Sequence, residues 1–206
     1  TGTIPDIDNM NKLADLIKDK NIVILSDEIY EQLDYNNHHH SFAHIASIRD
    51  KVITVGGFSK SHQMTGYRVG YLVAPENIIT KAAILQANIC TCACTLSQYV
   101  AIDAIKHTDD VNRLVLDLRQ RLSRLLVIFE NYPHWETKGA FYLFVNITKK
   151  INSTMTDTDI CKELLSLGVG VAPGSLFNMP GHIRISYACS DEMFEIAVPI
   201  LYKYFS

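Results

Sequence analysis

Two short runs of branched apolar residues, Ile22-Val23-Ile24-Leu25 and Val52-Ile53-Thr54-Val55, constrain the fold more than any other feature of this sequence. Continuous runs of this kind suit strands covered on both faces, as in a sheet packed between helices. Before the first run, Met10, Leu13, Leu16 and Ile17 recur at helical spacing. Asp8 reads as the N-cap of that helix, which should stop near Asn21. The first strand run ends in Ser26-Asp27-Glu28 and the second in Gly56-Gly57, while residues 67–73 read as a third strand. Helix, strand, strand, strand with short turns is the grammar of an α/β sheet.

Residues 76–106 are mostly helical in pattern, with a break around Thr95. From Asp109 a long amphipathic segment keeps Val111, Leu114, Val115, Leu118, Leu122, Leu125, Leu126 and Phe129 on one face, as a bridging helix would. Beyond it, residues 140–145, 169–172 and 183–187 read as strands, and 157–167 and the stretch from Asp191 as helices. A smaller α+β unit fits that order. The expected division is 1–107 and 108–206, the second part including the bridging helix.

The chain has 206 residues, 48% hydrophobic and 20% charged, enough to bury a sizeable core. Its net charge is −3 with the basic residues dispersed, so neither a nucleic acid nor a membrane is an expected partner. No apolar run reaches the roughly 18 residues that a bilayer requires. Thr1-Gly2-Thr3-Ile4-Pro5 also lacks the layout of a signal peptide, and the chain reads as cytoplasmic. A start without Met on a Thr-Gly turn reads as a fragment. The cysteines Cys90, Cys92, Cys94, Cys161 and Cys189 show no paired spacing, so reduced thiols are expected. No second Cys or His pair completes a zinc set with Cys90-Thr91-Cys92-Ala93-Cys94, so this run reads as small buried packing residues and no metal site is expected. His38, His39 and His40 follow Asn36-Asn37 and read as a solvated loop.

Chemistry concentrates in residues 57–71, Gly-Phe-Ser-Lys-Ser-His-Gln-Met-Thr-Gly-Tyr-Arg-Val-Gly-Tyr. This stretch resembles the cofactor-lysine signature of class I/II aminotransferases, the aspartate and aromatic branch of fold-type I pyridoxal-phosphate enzymes. Ser26-Asp27-Glu28-Ile29-Tyr30 resembles a second family segment, Gly139-Ala140-Phe141-Tyr142-Leu143 a third, and Gly181-His182-Ile183-Arg184-Ile185-Ser186-Tyr187-Ala188 a fourth. Val171-Ala172-Pro173-Gly174-Ser175-Leu176-Phe177 precedes the fourth as it does in the family. The resemblance covers essentially the whole chain. It implies the C-terminal part of the large domain of a pyridoxal-phosphate transferase, a mixed and mostly parallel sheet with helices, followed by the small α+β domain.

The resemblance also implies roles. Lys60 would hold pyridoxal 5'-phosphate as a Schiff base and, once freed by substrate, carry a proton. Asp27 would pair with the pyridine nitrogen, keeping it protonated. Tyr30 would donate its phenol to the ring oxygen, while Ser59 and Arg68 would bind the phosphate, for which a guanidinium fork is suited. Arg184 would grip the substrate α-carboxylate bidentately. Gly57 stands where the family often carries a further phosphate-binding hydroxyl. Implied partners are an L-amino acid and a 2-oxo acid, with a second copy forming a homodimer. The family's phosphate loop, its ring-stacking aromatic and the asparagine of its N-P-x-G turn would precede Thr1, so these 206 residues alone are expected to be inactive. Two alternatives stay open, a lyase or synthase of the same fold and the non-catalytic ligand-sensing domain of a transcription regulator.

Overall fold

The computed structural model describes residues 1–36, 38–151 and 155–206, so Asn37 of the polar stretch lies outside the described residues. Two compact units emerge: Ile4–Leu114, and Val115–Ser206 together with Thr1–Thr3.

In the first unit, α1 (Ile7–Ile17) is capped by Asp6 rather than Asp8. Asp6 has extended backbone and its carboxylate accepts the Asp8 N–H at 2.9 Å, which leaves Asp8 in the first turn, where negative charge suits the helix dipole. The buried stripe is Met10, Ala14 and Ile17, whereas Leu13 and Leu16 are 42% and 64% exposed. Ala14 completes an i, i+4, i+7 row that a search for large apolar residues passes over. Ala14 and Ile17 pack with Ile48 and Val52, joined by Ile24, Phe42 and Ala43.

The sheet consists of β1 (Ile24–Asp27), β2 (Val52–Gly57) and β3 (Gly70–Val73) in that spatial order. It is mixed: β1 runs parallel to β2 with Asp27 opposite Val55, and β3 runs antiparallel with Gly70 opposite Gly57. Only β2 is covered throughout. β1 starts two residues later than expected and is an edge strand in this chain, with Leu25 68% exposed, so the expectation of cover on both faces fails there. The third strand also starts late, because Thr65–Tyr67 forms a 3-10 turn that ends on Arg68 at a left-handed φ of 54°.

Two helices follow, α2 (Glu76–Ile89) and α3 (Thr95–Ala104), separated by residues 90–94. Cys90, Cys92 and Cys94 all lie in that connection and are exposed, which overturns their reading as buried packing residues. Thr91 takes a left-handed φ of 61°, turning the chain out of α2, which itself has no buried residue. The long amphipathic segment is α4 (Thr108–Ile128), with Val111, Leu118, Leu122 and Leu125 buried as the periodicity requires. Its residues up to Leu114 belong to the first unit and the rest to the second.

The second unit adds β4 (Tyr142–Asn146), α5 (Asp157–Ser166), β5 (Ala172–Pro173), β6 (His182–Ser186) and α6 (Asp191–Phe205). The sheet order is β4-β6-β5, all antiparallel. A Thr156 and Asp159 capping box starts α5, and Ser190 caps α6. Arg121 of α4 donates to the carbonyls of Tyr187 and Cys189 and to the Asp191 carboxylate at the start of α6. Phe129, Tyr132 and Phe205 form an aromatic trio with centroids 4.8 to 5.9 Å apart. Phe129 is fully buried, so Phe129→Ala is expected to destabilise the protein by about 3–5 kcal/mol in denaturant unfolding; a loss below about 1 kcal/mol would show that the trio does not anchor this unit. No helix among the described residues is long and apolar enough to cross a membrane.

Candidate active site

Because β1 and β2 are parallel, both carboxyl ends emerge at one end of the sheet, the side on which open α/β sheets bind ligands. Asp27 is the last residue of β1 and is exposed. Its Oδ1 accepts the Ile29 N–H at 3.2 Å, and Oδ2 has no hydrogen-bond partner among the described residues. The chain then makes two tight turns, with Glu31 N–H on Glu28 O at 2.9 Å and Leu33 N–H on Tyr30 O at 2.9 Å. Lys60 follows three residues after the end of β2, half-buried. Its amine makes no ion pair among the described residues and stands 6.0 Å from the centroid of the Tyr30 ring.

Of the expected site residues in this unit, the structure therefore brings Lys60 and Tyr30 into contact and sets Asp27 on the same turn as Tyr30. Ser59 is half-buried beside Lys60. The lysine turn is closed by the N–H groups of His62 and Met64, both donating to Phe58 O, with Gln63 at a left-handed φ of 53°. Arg68 is exposed and its Nη1 donates to the Thr65 carbonyl at 3.0 Å, a bond within its own turn.

The two glycines that end β2 have a steric cause. A Cβ at Gly57 would meet Gly70 Cα at 3.0 Å and Ile29 Cδ1 at 3.1 Å, so no hydroxyl-bearing side chain fits there without movement. A Cβ at Gly56 would collide with the Tyr71 ring, which lies against that bare backbone. The Tyr71 hydroxyl donates to Glu31 Oε1 at 2.7 Å, and burial, then this bond, push its pKa up to about 12.

Sequence reasoning missed Glu28 and His39. Glu28 is buried at 6% exposure and accepts hydrogen bonds from Ser26 Oγ at 2.9 Å and Ser41 Oγ at 2.8 Å. Its other oxygen meets His39 Nε2 at 3.1 Å, which overturns the solvated-loop reading for His39, although His38 and His40 are exposed. No local signal marks the pair, since its members stand eleven residues apart across irregular chain.

In the second unit, Arg184 lies on the central strand β6, opposite Phe144 of β4 and Ala172 of β5. Its guanidinium lies against two rings, 4.5 Å from the Tyr142 centroid and 4.3 Å from that of Phe177. It has no carboxylate partner among the described residues. The N–H groups of Lys138 and Gly139 both donate to Gly2 O, docking the first residues beside the 139–143 segment.

A profile of the family described as aminotransferase class I and II matches residues 1–201. This chain belongs to that family. Among the class I and II aminotransferases it resembles, the aspartate aminotransferase of Thermotoga maritima is 34% identical over 197 residues, which cover 93% of this chain and 50% of that protein. A probable N-acetyl-LL-diaminopimelate aminotransferase of Bacillus subtilis is 34% identical over 198 residues, 92% of this chain and 49% of that one. The crystal structure of an aromatic aminotransferase from Pyrococcus horikoshii superposes with a TM-score of 0.90 at 30% identity, over 99% of this chain and 56% of that chain. The mixed α/β fold is thus that of solved aminotransferases, and the chain spans about half the length of the curated relatives it matches.

Proposed function

We propose that the protein is a pyridoxal-phosphate-dependent aminotransferase that moves an amino group from an L-amino acid to a 2-oxo acid, acting in the cytoplasm as a homodimer. In this reading residues 1–107 are part of the cofactor-binding domain and 108–206 form the smaller one. The observation that carries it is the Lys60 amine, without an ion-pair partner among the described residues, standing over the Tyr30 ring on the turn that follows Asp27 at the carboxyl end of β1.

The donor set suits pyridoxal phosphate: a primary amine for its aldehyde, a carboxylate with one uncommitted oxygen for its ring nitrogen, a phenol for its ring oxygen, and the Ser59 hydroxyl with the Arg68 guanidinium for its phosphate. When bound, the cofactor supplies an electron sink for the pair left when a substrate C–H bond ionises. The chain's own groups do the rest. Lys60 attaches the cofactor and afterwards moves the proton from the substrate α-carbon. Asp27 holds the ring nitrogen protonated by charge. Tyr30 orients the ring oxygen, and Arg184, its guanidinium resting against the Tyr142 and Phe177 rings, takes the substrate α-carboxylate.

The direct test uses the protein at its full natural length. Borohydride reduction in the presence of pyridoxal phosphate, followed by peptide mapping, should place the label on Lys60. A label on Lys51 or Lys81 would sink the assignment.

A further inference from the structure

Glu28 sits inside the turn that carries Asp27 and Tyr30, and every polar atom of its side chain is used. A carboxylate removed from water costs several kcal/mol unless its lone pairs are satisfied. Here Oε1 takes the Ser26 and Ser41 hydroxyls and Oε2 meets His39 Nε2. The Glu28 N–H donates to Val55 O at 2.8 Å, extending the β1–β2 ladder one step past Asp27. The far side of the contact is anchored too. Ser41 Oγ accepts the Ala43 N–H at 3.2 Å, and Phe42 and Ala43 pack against the core formed by α1 and β2, while the His39 N–H donates to Asp34 Oδ2 at 2.6 Å. On the other flank, Glu31 receives the Tyr71 hydroxyl from β3. The turn is pinned at 28 and at 31, with Tyr30 between the pins.

Glu28, Glu31 and His39 bring possible ligand atoms within 4.8 Å of one another. Both Glu28 oxygens are already engaged by neutral donors and imidazole, so the geometry is accounted for without a cation.

We infer that Glu28 and His39 are positioning residues, a buried pair that fixes the turn bearing Asp27 and Tyr30 and so governs how those two side chains meet the cofactor. The inference rests on the roles given to Asp27 and Tyr30 in the proposed function. Charge supports it. Burial works to raise the Glu28 pKa, but the bonds from His39, Ser41 and Ser26 outweigh it and hold the carboxyl below its usual value. The bond to Glu28 raises the His39 pKa against burial, helped by the charges of Glu31 and Asp34, the other ionisable groups that face it. A lowered carboxyl contributes above its unfolded pKa and is lost as pH falls through the folded value; a raised imidazole contributes fully below its unfolded pKa and is lost as pH rises through the folded one. The pair is therefore strongest between the ordinary Glu and His values, about 4.3 and 6.5, and its ionic part fades as pH climbs through the raised His39 pKa.

The test is amide hydrogen exchange in the cofactor-free full-length protein. Glu28→Gln and His39→Gln should each speed exchange at residues 29–33 by about tenfold or more, and the double variant should be little faster than either single one, because both remove the same contact. After correction for intrinsic rates, protection in the parent should decline as pH rises through the His39 titration, and His39→Gln should abolish that decline. Should Glu28→Gln fail to fold, Ser41→Ala removes one donor and should give a few-fold effect at the same amides. A second readout is the visible absorbance of added pyridoxal phosphate against pH, whose midpoint Glu28→Gln should move in the same direction as Tyr30→Phe. Unchanged exchange at 29–33 overturns the inference, and so does faster exchange with a parental absorbance midpoint where Tyr30→Phe shifts it. A midpoint that neither Tyr30→Phe nor Asp27→Asn moves sinks the functional reading instead, and faster exchange then still sustains the pair's hold on the turn.

Discussion

Lys60→Ala is expected to lower amino-group transfer by about 10⁴-fold or more in the full-length protein. On the roles proposed for Lys60 the variant would lose both the point of cofactor attachment and the proton carrier, and a positioned proton carrier alone is worth roughly 10²–10⁴ in rate. Among the described residues beside it, Ser59 offers only a hydroxyl, Arg68 a guanidinium engaged within its own turn, and Tyr30 a phenol without a nucleophilic nitrogen, so none replaces the amine. The measurement is kcat with saturating amino acid, alongside the amount of pyridoxal phosphate that survives dialysis. Turnover within about tenfold of the parent would remove Lys60 from the chemistry.

Asp27→Asn should cost roughly a thousandfold or more in the proton-abstraction step while leaving cofactor entry largely intact. The amide is nearly isosteric and can still receive the Ile29 N–H through its oxygen, so the turn should persist. It cannot hold a ring nitrogen protonated by charge. Each pKa unit of lost pairing is worth about 1.4 kcal/mol, and several such units on the barrier give the expected slowing. Single-turnover conversion of bound cofactor to its amine form, compared with Asp27→Glu, reads this directly. If Asp27→Asn converts at nearly the parental rate, Asp27 serves only as the cap of the strand end that its bond to Ile29 already makes it.

What could be read from sequence was whatever lies within a few residues along the chain. The Lys60 turn and the Asp27 to Tyr30 segment are short motifs, and α4 betrayed its buried face because Val111, Leu118, Leu122 and Leu125 repeat over many turns. The contact of Lys60 with Tyr30 needs the parallel pairing of β1 and β2, which local order implies but does not place. Other features depend on contacts that no local pattern encodes. The Glu28 and His39 pair joins a strand end to an irregular loop, and polar composition alone made that loop look solvated. The cysteines were misread as buried because residue type alone does not fix burial: Thr91 leaves α2 with a left-handed φ, and α2 itself has no buried residue. Leu13 and Leu16 share helical spacing with Met10 and Ile17, and only the packing against Ile48 and Val52 selects the Ala14 side.

The rings of Tyr142 and Phe177 beside Arg184 bear on the thermodynamics of carboxylate capture proposed for it. An arginine side chain carries about 2 kcal/mol of rotamer entropy, which a free guanidinium surrenders when a carboxylate locks it. Tyr142 stands diagonally across the antiparallel β4–β6 pair from Arg184 and the Phe177 ring also lies against the guanidinium, so part of that freedom is given up during folding rather than at the encounter. If Arg184 takes the carboxylate as proposed, little further ordering of its side chain is needed, and calorimetry should register the capture as enthalpy with little ordering penalty from the protein.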